Sequence, residues 1–96
     1  MTEIPKELLA LRREIDAIDA ALVALIVKRF AVADQVIGIK QQHNLPAIIP
    51  ERVEVVVRQA IEQSKGGTAP ADTIEKIWRL LVGETIAYEQ TKLKTK

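Results

Sequence analysis

The sequence predicts an all-α protein with three helices per chain, one long and two shorter, paired into an intertwined helical homodimer. Three observations carry this: the apolar spacing of the N-terminal stretch, the absence of strand-like alternation, and a first helix too long for a domain of 96 residues. From about Pro5 to about Gln42 the apolar residues recur at alternating intervals of three and four. They are Leu8, Leu11, Ile15, Ile18, Leu22 and Leu25, then Val32, Val36 and Ile39, with Arg29 alone out of character. This is the seam of a helix packed lengthwise on other helices. About 37 residues at roughly 1.5 Å each span about 55 Å. A compact chain of this size measures only about 30–35 Å across. The overhang would leave half the seam wet, and a second chain is the simplest cover, so an obligate dimer is expected.

Each element has its own signals. Met1 to Ile4 are expected to fray. Pro5 suits the first turn of the long helix, and Glu7 complements the positive end of its dipole. Gly38 is the one weak link, costing about 1 kcal/mol against alanine. Pro46 disfavours helical geometry at Leu45, so the helix ends near Gln42 and residues 43–49 form a short loop. Leu45, Ile48 and Ile49 make that loop too apolar for a free linker. Pro50 opens a second helix to about Ser64, with Val53, Val56, Val57, Ala60 and Ile61 in one stripe. Lys65, Gly66 and Gly67 end it. Pro70 starts a third helix to about Leu93, with Ile74, Ile77, Trp78, Leu81 and Thr85 on its core face. A second stripe runs Val82, Ile86, Gln90 and Leu93. Lys92, Lys94 and Lys96 read as a solvated tail suited to a helix C-terminus.

Composition bounds the function. The whole chain, residues 1–96, reads as a single domain whose core is Leu, Ile, Val and Ala, with one Phe, one Trp and one Tyr. Net charge is +1 with acids and bases interspersed, which argues against the clustered basic footprint of a nucleic-acid binder. Cysteine is absent, excluding a thiol nucleophile, a thiolate metal site and a disulfide framework. His43 is the single histidine, with no partner at ligand spacing, so neither metal nor cofactor is expected. Charges fall within the first seven residues and no apolar run reaches membrane-spanning length, so the expected location is cytoplasmic, with no membrane partner.

The polar residues that break apolar stripes are the candidate site. Lys40 lies 11 residues beyond Arg29, roughly three turns on and about 16 Å away along a straight helix. Two long cationic side chains reaching toward each other suit a small dicarboxylate. Arg12 lies on the same helix about 25 Å from Arg29. It cannot reach that pocket within one chain, but the Arg12 of an antiparallel partner could. Plainer readings stand beside these. A lone seam Arg can set register against an acid across the interface. Arg12 has Asp16 at i+4 for a solvated pair. Lys40 near a helix C-terminus complements the dipole, and Gln90 can simply be exposed. Glu51 and Arg52 in the first turn of the second helix read as surface charges.

Together, these residues resemble the all-helical chorismate mutase family. The likeness runs through LLALRREIDAIDAALVALIVKRFAVADQVIGIK, with Arg12, Arg29 and Lys40 at these intervals, continues through PERV (Pro50 to Val53) and ends in ETIAYEQ (Glu84 to Gln90). It implies an intertwined dimer with each active site built from both chains. It further implies that Arg12 from the partner chain and Arg29 bind the two substrate carboxylates. Lys40 and Gln90 would flank the ether oxygen whose bond breaks. Arg52, Ile49, Val53 and Ile86 fall at pocket positions of the family.

Three positions depart from the biosynthetic mutases, which carry Glu at Val53, an acid at or near Ile49 and Ser at Ile86. A more apolar pocket around the same cations is similar to the isochorismate-pyruvate lyase branch of salicylate biosynthesis, which shares the PERV-type helix start. The reading drawn from this is an isochorismate-pyruvate lyase with chorismate mutase side activity. The alternatives are a biosynthetic chorismate mutase proper and a non-catalytic helical dimerisation or ligand-sensing module. Both reactions are pericyclic, so what the protein must do is hold a flexible dianion folded and stabilise charge growing on the ether oxygen. Loss of the Lys40 charge is expected to cost far more turnover than stability.

Overall fold

The computed structural model describes residues 3–94. The ends of the chain, Met1 and Thr2 of the expected frayed start and Lys96 of the basic tail, lie outside them, as does the side chain of Lys94. Among the described residues there are three helices and no strand: α1 Lys6–His43, α2 Pro50–Gln63 and α3 Ala71–Lys94. None of these helices is long and apolar enough to cross a membrane.

Proline marks each start, in two different ways. Pro50 occupies the first turn of α2, where its missing N–H costs nothing, and the extended Ile49 caps it with a carbonyl that accepts from Arg52 and Val53. Pro5 and Pro70 sit one residue earlier than the sequence suggests. The Pro5 carbonyl accepts from Leu8 and Leu9, and that of Pro70 accepts from Ile74, so both are caps outside the helix. The end of α1 is closed by Asn44 in the left-handed region (φ 54°). There the N–H of Leu45 donates to the carbonyl of Lys40 (2.9 Å) and that of Asn44 to Gln41 (3.5 Å), the paired bonds of a Schellman stop. Asn is one of the few side chains that tolerates that backbone. Beyond the Ser64 cap of α2, Gly66 takes a positive φ (87°) in the turn that the Gly67 N–H closes onto the Ser64 carbonyl (3.2 Å).

The chain divides into two compact units, Met1–Val32 and Ala33–Lys96. In the first, every residue from Glu3 to Lys28 is exposed. The seam residues Leu11, Ile15, Ile18, Leu22 and Leu25 each leave half or more of their surface in water.

The second unit holds the end of α1 together with α2 and α3. Its core is Ala33, Ile37, Val57, Ala60 and Val82, and among the described residues two charged groups, Lys40 and Glu89, are buried with them. Ala33, Ile37 and Lys40 form one helical stripe, and Val82 and Glu89 another, seven residues apart. Ile77, expected on the core face, is 49% exposed. At about 100° per residue it lies roughly 140° round α3 from Val82, off the face that α3 buries.

Exposed polar contacts help to fasten the second unit. Arg79 forks onto Glu54 of α2 (3.0 and 3.1 Å) while its Nε donates to Glu75 (2.9 Å). These bonds hold the Glu54 carboxyl below its usual range, the hydrogen bond from Arg79 being the largest cause. The Tyr88 hydroxyl donates to Asp34 Oδ1 at 2.6 Å, tying α3 to the end of α1. That bond, then partial burial and the Asp34 charge, raise the phenol above its ordinary value near 10. Because the folded state holds this proton more tightly, the contribution is complete below the unfolded phenol's pKa and fades as pH rises through the folded one. This is the chain's single tyrosine. An alkaline absorbance titration should therefore give one midpoint above 10, lowered in Asp34→Asn; an unchanged midpoint in that variant would refute the assigned cause.

Candidate active site

Lys40 occupies the last full turn of α1, on the buried stripe, and its ammonium is doubly held. Nζ donates to Glu89 Oε1 of α3 at 2.6 Å and to the Ala47 carbonyl at 2.9 Å. The two charged side chains are about nine-tenths buried, at 11% and 8% exposure. Water therefore screens this pair far less than the exposed pairs on the helices. The same residue thus holds the 44–49 loop twice, through its carbonyl to Leu45 and through its side chain to Ala47.

That loop walls an open cavity of about 430 Å³. Leu45, Pro46, Ala47 and Ile48 line one side, with Lys40, Gln41 and Asn44 from the end of α1 and Gln90 and Leu93 from α3. The apolar loop residues find their use here, since Leu45 and Ile48 cover cavity rather than core. Gln90 is exposed at the rim, offering an uncharged amide donor beside the ammonium. Lys40 is the only charged side chain among the lining residues, and Glu89 matches its charge. One chain therefore offers this cavity hydrogen-bond donors but almost no net positive charge.

Of the residues singled out in the sequence, Lys40 and Gln90 meet at this cavity. Ile49, Val53 and Ile86 are half-buried elsewhere in the second unit and Arg52 is exposed; none of the four is among the lining residues. Arg12 and Arg29 belong to the first unit, Arg12 exposed and Arg29 half-buried. Glu89 was not among the sequence candidates. Its signal was its place one heptad beyond Val82, roughly 20° from it round the helix, where Gln90 is about 80° away.

Residues 11–90 match the chorismate mutase type II family. The chain belongs to that family. It is 42% identical over 81 residues to the T-protein of Haemophilus influenzae, covering 82% of this chain and 21% of that protein. With the T-protein of Enterobacter agglomerans it shares 33% identity over 86 residues, covering 90% and 23%. It is 31% identical over 88 residues to a bifunctional chorismate mutase/prephenate dehydratase of Aquifex aeolicus, covering 88% and 24%. The chain thus spans between a fifth and a quarter of these relatives' length. Chorismate mutase stands in the description of the family and in the name of the Aquifex aeolicus protein, and the lyase branch expected from Ile49, Val53 and Ile86 is not shown by these matches.

Proposed function

We propose that this chain is a chorismate mutase, converting chorismate to prephenate. The observation that carries the reading is the pairing of Lys40 and Gln90 on one cavity in a chain of the chorismate mutase type II family. In this rearrangement the ether C–O bond breaks while a C–C bond forms in the same molecule, so atoms balance without a co-reactant. The barrier falls when the substrate is held folded and when donors face the ether oxygen as negative charge grows on it. The Lys40 ammonium supplies the charged donor and the Gln90 amide the neutral one. Only what these donors add in the transition state beyond the ground state accelerates the step.

A dianion needs more positive charge than this cavity holds. We propose that two chains pair through the exposed α1 seam, and that Arg29 and the partner's Arg12 bind the carboxylates through forked hydrogen bonds. The apolar surface left wet on Leu11 to Leu25 supports the pairing, because contiguous exposed apolar faces of this kind mark interaction surfaces.

Purified protein supplied side by side with chorismate and isochorismate tests the reading. Prephenate from chorismate is the expected product. Salicylate and pyruvate from isochorismate, with little prephenate, would move the chain to the lyases. Neither product would leave a helical module without turnover.

A further inference from the structure

The Lys40–Glu89 pair poses a problem for any site that takes a dianion, because an acid lies 2.6 Å from the one cation lining the cavity. Its carboxylate repels an anionic ligand and offsets the charge that ligand needs. Burying such a pair also gains little over apolar packing. The geometry shows what Glu89 contributes instead. A lysine ammonium has three N–H donors on a flexible four-carbon stem. Glu89 Oε1 takes one and the Ala47 carbonyl takes another. With the Lys40 side chain about nine-tenths buried, two fixed acceptors leave the third donor a single direction.

We propose that Glu89 is a positioning residue for Lys40: with the Ala47 carbonyl it holds the ammonium so that its third N–H faces the cavity bordered by Gln90. This rests on the mutase reading for the step that N–H serves, but the anchoring of Lys40 can be tested apart from turnover. An unanchored lysine would spread its charge over several rotamers, and an interaction misplaced by about 1 Å loses much of its effect on a transition state. The negative charge of Glu89 also weakens ground-state capture of the dianion. Its cost therefore falls on binding and its benefit on turnover.

The test compares Glu89→Gln, which keeps an acceptor oxygen, with Glu89→Ala; should the alanine variant fail to fold, Glu89→Met replaces it at similar length. Two readouts are taken: steady-state kinetics with chorismate, and the acetylation rate of Lys40 by an amine-reactive reagent, followed by mass spectrometry of the native protein. In Glu89→Ala or Glu89→Met, Lys40 should acetylate about 10–100-fold faster and kcat should fall by a similar factor, as loss of one charge-assisted bond implies. KM should fall or hold. Glu89→Gln should keep Lys40 protected and kcat within about fivefold of the parent, with KM lowered by the lost repulsion. A purely structural pair would shift the melting temperature and leave kcat and Lys40 reactivity alone, which would overturn the proposal. So would a Glu89→Gln variant as reactive at Lys40 as the apolar one. If the parent protein makes no prephenate while Lys40 reactivity still follows residue 89, the mutase reading falls and the anchoring stands.

Discussion

Replacing Lys40 by alanine should lower kcat for chorismate by about 10²–10³-fold, the usual cost of removing one preorganised donor from a developing oxyanion. The structure adds a second effect that the sequence alone does not suggest. With Lys40 gone, Glu89 is left buried at 8% exposure without its cation. Breaking a buried pair by deleting one partner costs about 3–5 kcal/mol. The Ala47 carbonyl loses its donor as well, loosening the wall of the cavity. Against a total stability of about 5–15 kcal/mol, that loss is large. The expectation that Lys40→Ala costs far more turnover than stability therefore meets a competing cost: the single variant confounds loss of chemistry with loss of fold. Lys40→Ala combined with Glu89→Met removes both charges and fills space, so most of the lost melting temperature should return while turnover stays low. The two residues touch, so their effects should be strongly non-additive. A folded double variant with near-parental kcat would end the case for Lys40 as the charged donor.

The helices were legible because their signals are local and repeated. The 3-4 rhythm of α1, the prolines at three starts and the glycine after α2 all depend on neighbours in sequence. Lys40 was singled out by its spacing from Arg29 and Gln90 as a polar break in an apolar stripe, both supported by the family resemblance, and the structure places both on one cavity. Glu89 was not, because a stripe read as Val82, Ile86, Gln90, Leu93 chooses the four-residue step at its third position, whereas three residues from Ile86 brings Glu89 nearer to Val82's bearing. An acid and a base each alone on a buried stripe, 49 residues apart, become a pair only once the helices are packed. Ile77 misled for a related reason: apolar character marks a surface for burial without saying which neighbour covers it. The lean toward a lyase rested on Ile49, Val53 and Ile86, whose apolar side chains describe a pocket's polarity and carry no record of its substrate. The family match supports the mutase reading proposed here instead.

Mixing two inactive variants should restore activity if sites are shared between chains. Each proposed site takes Arg29 from one chain and Arg12 from the other. A homodimer of Arg12→Ala lacks one carboxylate anchor in both sites, and a homodimer of Arg29→Ala lacks the other. Truncating one partner of a hydrogen-bonded charge pair typically costs about 2–5 kcal/mol, so each alone should lose about 30-fold or more in kcat/KM. In a heterodimer one site combines the two intact arginines and the other combines both alanines. Equal amounts exchanged at random put half the dimers in the mixed form, so about one quarter of parental activity should return. If Arg12 and Arg29 served the same chain, every site would keep one defect and mixing would restore nothing. Subunit exchange has to be verified first, by native mass spectrometry of chains of different mass. A verified mixed population with no gain would sink the shared site. A gain near one quarter would account for the two features that one chain leaves unexplained: the wet apolar seam of α1, and a cavity whose only cation is already matched by Glu89.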